Sequence, residues 1–307
     1  MNKLVFDIGA TNTKFALMTT EGEVLAKEKV PTVYDSAGAF FANLEQIVAK
    51  YRGSGDAIAI STNGRMDAGG DIYRAYIPQI LQGVNLKQEM EARSGLPVTV
   101  LNDGFSAALG EWWKGSGQGA NNLLVLVLGS GLGGGLILNG KLYEGSKRNA
   151  AMVFGMLGAY GGGKAELTSA TTSFALLLYQ LSAMKQIPIQ EMTGQRFFEF
   201  AAEGDPAVLG MLELYCEGIA ALIFNSALLL DLEMTVITGG LCEQELVMAT
   251  IRRKLDEITG RVLEGEPGRF FEMTGGDRDD YRIPVNKGAL SLDANVYGAL
   301  YHHLHTT

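Results

Sequence analysis

Cysteine is nearly missing from this chain: Cys216 and Cys242 are the only two among 307 residues, and they form no C-x-x-C pair. That excludes a disulfide framework and a cysteine-based zinc site. Basic residues are also short. Lys and Arg number 25 against 34 Asp and Glu, a net charge of −9, so the electrostatic footprint that a nucleic-acid partner demands is absent. That balance leaves nucleotide binding open, because local N–H groups and a Mg²⁺ ion can manage a phosphate. Histidine is confined to His302, His303 and His305. Imidazoles at this spacing can share a metal, but a frayed, solvated terminus is the expectation. No apolar stretch of membrane-spanning length is read, and residues 1–30 lack a signal-peptide layout because an apolar strand begins at once. The expectation is a cytoplasmic protein with no membrane partner.

What the chain does have is apolar residues (47%) and 40 glycines. A chain of this length carries a prior of two domains with ample core. Much of the glycine falls in turns between short apolar runs. Leu4–Ile8 is one such run, with Asp7 near its end, and a turn through Gly9, Ala10, Thr11, Asn12, Thr13 and Lys14 leads to a second run, Phe15–Met18. The pattern reads as strand, tight polar turn, strand. Small residues let backbone N–H groups approach an anion, and an acid at the strand end can hold a hydrated metal beside a phosphate. The same residues also suit an ordinary hairpin turn.

The pattern recurs roughly 120 residues later. Leu123–Leu128 is apolar, Gly129-Ser130-Gly131-Leu132-Gly133-Gly134-Gly135 follows, and Leu136-Ile137-Leu138 leads into an Asn139-Gly140 hairpin signal. Further polar or glycine-rich sites stand at predicted strand ends: Asn63-Gly64, Asn102-Asp103 and Gly239-Gly240. Ligands of α/β sheets gather at such ends. Helical spacing is read over 36–51, 85–93, 105–113, a long segment from Leu167 to Ala183, 197–201, Asp205-Pro206 through Leu230, and 294–301. Met66–Gly70 reads as a turn. By residue type alone, Asn102-Asp103 reads first as an N-cap for the helix after it.

Taken together, these motifs resemble the ROK group of sugar kinases and repressors in the actin-like ATPase superfamily. The first turn is similar to its D-I-G-G-T-x-x-K, with Ala10 for a Gly. Gly129–Gly135 is similar to G-T-G-I-G-G-G, with Ser130 for Thr, and Leu101–Glu111 resembles the N-D-A-N-x-A-A-L-G-E segment. Ile237–Gly240 and Ala294–Leu300 resemble the adenosine turn and the terminal helix.

The resemblance implies a two-domain α/β fold of the actin-like, ribonuclease H-like kind with a cleft between the domains. Residues 1–117 plus 292–307 would form one domain and 118–291 the other, the latter carrying a homodimer contact. It implies ATP-dependent phosphorylation of a sugar or glycoside hydroxyl, with Asp103 as general base. Asn63, Gly64 and Asn102 would hold sugar hydroxyls. Asp7 would position Mg²⁺. Gly9, Thr11, Asn12, Thr13, Lys14, Gly129, Ser130, Gly131 and Gly133 would surround the phosphates, and Gly239-Gly240 the nucleoside. The family's A-G-E-x-G-H segment pairs here with Ala150-Ala151-Met152, so Met152 stands where a sugar-binding Glu belongs, and neither the His nor the Cys cluster of the zinc loop follows. The likeness is therefore to the zinc-free subgroup that includes β-glucoside kinases, and no structural zinc is expected. A carboxylate accepting two hydroxyl hydrogen bonds contributes ~1.5–3 kcal/mol for each, which Met cannot replace. The alternative is a catalytically impaired sugar- or nucleotide-binding regulator. The DNA-binding repressor branch needs an N-terminal helix-turn-helix ahead of the first strand, which this sequence does not show.

Overall fold

The computed structural model describes residues 1–76, 79–158, 166–265, 268–269, 273 and 281–306. In chain order the elements are β1 (Lys3–Ile8), β2 (Asn12–Met18), β3 (Val24–Pro31), α1 (Ala37–Lys50), β4 (Ala57–Thr62), β5 (Arg65–Met66), β6 (Ile72–Arg74), α2 (Leu86–Ser94), β7 (Val98–Asn102) and α3 (Asp103–Lys114). Strands β8 (Leu123–Leu128), β9 (Leu132–Leu138), β10 (Lys141–Leu142), β11 (Leu157–Gly158) and β12 (Glu166–Leu167) come next. The rest is mainly helical: α4 (Thr168–Thr172), α5 (Phe174–Lys185), α6 (Gly194–Ala202), α7 (Pro206–Leu230), β13 (Met234–Thr238), α8 (Glu245–Glu264), β14 (Val285–Lys287) and α9 (Ala294–Thr306). The chain divides into two compact units, residues 1–125, 134–151 and 288–307, and residues 126–133 and 152–287.

One five-stranded sheet has the order β3-β2-β1-β4-β7, antiparallel through β1–β3 and parallel through β1, β4 and β7. A second has the order β10-β9-β8-β13-β14. Strand alternation sorts the first sheet's residues between its faces. Leu4, Phe6 and Ile8, with Ile58, Ile60, Val98 and Val100, pack under α1 and α2. Val5, Ala16 and Ala59 face the other way and pack on Val296, Ala299 and Leu300 of α9. Asp7 is two residues beyond Val5 and so shares the α9 side.

Local chemistry sets the helix ends. Ser36 caps α1 by accepting from Ala39 N, and Asn85 caps α2 by accepting from Gln88 N. Asp205 caps α7 with Pro206 at its first position, where the missing N–H costs nothing. Helices α3 and α9 approach so closely that a Cβ on Gly110 would sit 2.0 Å from the Ala294 carbonyl oxygen, and one on Gly298 1.6 Å from that of Ser106. Glu111, fully buried, fastens α3 to the entry of α9: its carboxylate accepts from the backbone N–H groups of Ser116, Ala289 and Leu290 at 3.0–3.1 Å.

Several expectations are corrected. The segment from Leu167 to Ala183 is two helices, because Ser173 leaves helical geometry (ψ 110°) and its hydroxyl caps α5 at Leu176 N. The turn read at Met66–Gly70 is present, held by Asp67 Oδ1 accepting from Gly69 N and Asp71 N, but it joins a small antiparallel ribbon, β5–β6, that the sequence reading did not include. Helix α7 is long and apolar enough, by length and composition, to cross a membrane, contrary to the sequence reading; over half of its most apolar stretch is buried in the protein. The C-terminus is not frayed. Helix α9 runs to Thr306, and His303 is buried with Nδ1 3.1 Å from the Thr99 hydroxyl.

Burial, with help from Arg148 and His303, pushes the His302 imidazole down to about 4. The fold therefore holds it neutral while the unfolded chain protonates it, so its contribution is present above pH 6.5 and is lost as pH falls toward 4. His302→Gln is expected to flatten the stability profile between pH 4 and 6.5 in chemical denaturation.

Candidate active site

Asp7, the penultimate residue of β1, has its carboxylate buried on the α9 side of the sheet. Its Oδ2 accepts from Lys14 Nζ at 3.0 Å and its Oδ1 from Asn295 Nδ2 at 3.0 Å. Lys14, opposite Asp7 in the β1–β2 register, also donates to the Leu292 carbonyl at 2.8 Å. Between these strands Gly9 N donates to Asn12 O at 3.1 Å, which closes the turn. Thr32 Oγ1 donates to Gly9 O, so the Thr13 hydroxyl, 3.1 Å from Thr32 Oγ1, is the donor of that pair. Thr13 is thus turned inward, while Thr11 is exposed and Asn12 half-buried.

Asp103 sits at the end of β7, as the first residue of α3. The cap itself is Asn102, whose Oδ1 accepts from Gly104 N and Phe105 N at 2.9 and 3.3 Å. Its Nδ2 donates to the Gly64 carbonyl at 3.0 Å. One side chain thereby fixes the start of α3 and the turn that follows β4. Gly64 has φ 108°, and a Cβ there would lie 2.8 Å from the Arg74 carbonyl oxygen, so the position admits only glycine without strain. Asn63 beside it is half-buried.

Capping by Asn102 leaves the Asp103 carboxylate available. It accepts from Gly104 N at 2.9 Å, and no cation pairs with it among the described residues. Part of Asp103 reaches solvent, but the enclosing protein desolvates its carboxyl and pushes it up to about 6, against the Gly104 N–H and with the Asp7 charge adding to the push. A carboxyl tuned toward neutrality beside a sheet edge is the property a general base requires.

In the second unit Gly129 N donates to Gly131 O at 3.1 Å, and the Ser130 carbonyl accepts from Ala175 N at the start of α5. Side-chain positions at Gly129 and Gly131 meet nothing within 4 Å, and neither residue has a positive φ. Packing therefore does not require glycine at either position, and no neighbouring side chain obstructs this turn. Gly133 lies in β9 against Val127. Gly134 and Gly135 serve the first unit instead: a Cβ on Gly104 would lie 2.3 Å from Gly134 O, and one on Gly135 2.6 Å from Ala108 Cβ. Gly239 has φ 92° and touches the Leu128 backbone. Gly240, exposed, borders an open cavity of about 580 Å³ lined by Leu241, Gln244 and the Gly194, Gln195, Phe198, Glu199 and Ala202 face of α6. Met152, half-buried, precedes a 3-10 turn, Val153–Gly155.

Two participants were not singled out from sequence. Asn295 looked like one polar position in an apolar terminal helix, and nothing local ties it to Asp7. The α6 face was read as a short helix with no hint of a cavity, because Gln195 and Glu199 are ordinary surface residues until Gly240 is placed beside them.

A family model described as the ROK family matches residues 4–158 and 166–278. A β-glucoside kinase of Listeria innocua is 28% identical over 267 residues, covering 83% of this chain and 88% of that protein. An N-acetylmannosamine kinase of Yersinia pestis is 28% identical over 304 residues, covering 96% of each. The crystal structure of a ROK family glucokinase from Streptomyces griseus in complex with glucose and AMPPNP superposes with a TM-score of 0.77 at 26% identity, covering 98% of each chain. With its two sheets in the order described, the chain has the actin-like ATPase fold and belongs to the ROK family.

Proposed function

We propose that this protein is an ATP-dependent carbohydrate kinase acting on a sugar or glycoside hydroxyl. The observation that carries the reading is Asp103: a carboxyl raised to about 6, beside a turn that Asn102 and Gly64 hold together. Above that pH it is a carboxylate able to take the proton from a sugar hydroxyl as the oxygen attacks the γ-phosphoryl group. Asn63, Gly64 and Asn102 orient hydroxyls. The unobstructed Gly129–Gly131 turn suits phosphate oxygens, and the cavity beside Gly240 suits an adenine, with Phe198 as its apolar wall and Gln195 and Gln244 as polar partners.

The donor set fits Mg²⁺ entering with ATP. Mg²⁺ takes one or two carboxylates and fills its shell with phosphate and water oxygens. Each Asp7 oxygen receives one hydrogen bond and keeps acceptor capacity. Bound there, the ion would neutralise charge on the transferring phosphoryl group, while Lys14 and Asn295 hold the Asp7 side chain in place.

The second reading is the regulator, favoured by Met152 in the place of a sugar-binding carboxylate. An ADP-release screen across monosaccharides and glycosides, with an ATP-only control, separates the two. Sugar-dependent release supports the kinase; ATP binding without release on any sugar supports the regulator. For the nucleotide side, Ala202→Trp, which fills the cavity from the exposed rim of α6, is expected to raise the KM for ATP at least about tenfold in the same assay and leave the KM for the sugar in place.

A further inference from the structure

Three exposed tyrosines lie on two segments of the first unit that meet beside the sugar-side turn. Tyr73 on β6 is 45% exposed, Tyr76 just after it 37%, and Tyr143 after β10 49%. Gly64 packs against the backbone of Arg74 and Ala75, the residues between Tyr73 and Tyr76. Through Asn102, the same Gly64 carbonyl is tied to the start of α3, where Asp103 sits. The aromatic stretch thus borders the turn proposed to hold sugar hydroxyls.

Tyr73 is held in place although its ring faces water. Its hydroxyl lies 3.4 Å from both the Lys147 carbonyl and Asn149 Oδ1. That loop, opened by Tyr143, is itself closed by the Arg148–Glu144 ion pair and by Ala150 N donating to Glu144 O. An anchored aromatic ring that leaves nearly half of its surface to solvent is pre-organised to bury something else, and it loses little freedom on doing so. A pyranose or aryl ring offers the flat apolar face that would cover it.

We infer that Tyr73, with Tyr76 and Tyr143 beside it, is a platform for the aglycone ring of a glycoside, making it a determinant of glycoside over free sugar. The inference rests on the carbohydrate reading above and deepens it. Met152 removes a carboxylate suited to a fully hydroxylated ligand, which points in the same direction.

The test is calorimetric binding of glucose and N-acetylmannosamine, each as the free sugar and as its phenyl glycoside, to the wild type, Tyr73→Ala and Tyr73→Phe. The wild type is expected to prefer at least one phenyl glycoside over its free sugar. Tyr73→Ala is expected to reduce that preference about tenfold, and Tyr73→Phe, which keeps the ring and loses the hydroxyl, to retain most of it. A preference unchanged in Tyr73→Ala overturns the inference, as does a wild type that binds neither phenyl glycoside more tightly than its free sugar. Equal loss in the Phe and Ala variants also overturns it, because Tyr73 would then be only a strap for the Tyr143–Ala150 loop. ADP release run alongside keeps the two readings apart: a Tyr73-dependent preference without turnover sustains the platform and contradicts the kinase.

Discussion

Asp103→Asn is expected to lower turnover by about 10²–10⁴-fold, the span that a positioned general base supplies. The same substitution should stabilise the fold at neutral pH. Burial raises the Asp103 carboxyl from 3.8 to about 6, so the folded state holds a proton that the unfolded chain has released. Stability linked to this group is complete below pH 3.8 and is lost as pH rises through 6. Asparagine carries no such penalty, and because Asp103 is partly solvated the gain at pH 8 is discounted to about 1–2 kcal/mol. Denaturant melts of the two proteins should coincide near pH 3.5 and separate by pH 7. His302 titrates with the opposite sign but is common to both and cancels in the difference. A catalytic group that opposes stability is the signature sought; a residue serving only as a helix cap would show loss of stability with no selective loss of rate. The wild-type kcat/KM should also fall about tenfold per unit below pH 6, as the base becomes protonated.

The largest structural effect is expected at Gly298. A Cβ there would lie 1.6 Å from the Ser106 carbonyl oxygen, and helix backbone cannot yield as a side-chain end can. Gly298→Ala must push α9 off α3 and disturb the packing of Val296, Ala299 and Leu300 on Val5, Ala16 and Ala59. The cost should be about 3–5 kcal/mol, at the upper end for overpacking. Because Asn295 and the Leu292 carbonyl hold Asp7 and Lys14 from the same segment, the variant should also lose ATP affinity. Gly260→Ala is the contrast. Gly260 lies within α8 with no atom within 4 Å of its side-chain position, so alanine there should stabilise by about 0.5–1 kcal/mol. Thermal melts of the pair should move in opposite directions.

The parts of the fold that were legible in the sequence are those with local causes. The run Leu4–Ile8, the Ser36 and Asn85 caps and the Asp205-Pro206 helix start each follow from chemistry within four residues. The fold class was legible through the family resemblance, which the recurrence of strand, glycine turn and strand helps to carry. The β5–β6 ribbon was missed because a two-residue strand has no period to detect, and its turn is held by Asp67 rather than by an Asn-Gly pair. Helix α8, with its mixed charges, gave no apolar run to notice. Its ionic side pairs Arg253 and Lys254 with Glu213 of α7, which only the fold brings near.

At the proposed site, Asp103 was singled out through the family resemblance rather than its type, since an acid at a helix start is usually a cap. The structure separates the two roles by giving the cap to Asn102. Glycines divide in a way the sequence cannot show. Gly104, Gly110, Gly135 and Gly298 are demanded by close backbone or side-chain approach, whereas Gly129 and Gly131 face open space.

Asp103 is proposed to activate a carbohydrate hydroxyl toward ATP. The most direct test is detection of the phosphorylated sugar by mass spectrometry after a single turnover, in wild type and Asp103→Asn, with binding of ATP and sugar measured on the same samples. Sugar phosphate is expected from the wild type and almost none from the variant, with both ligands still bound. Wild-type rates from Asp103→Asn, or a wild type that binds both ligands and forms no sugar phosphate, would contradict it.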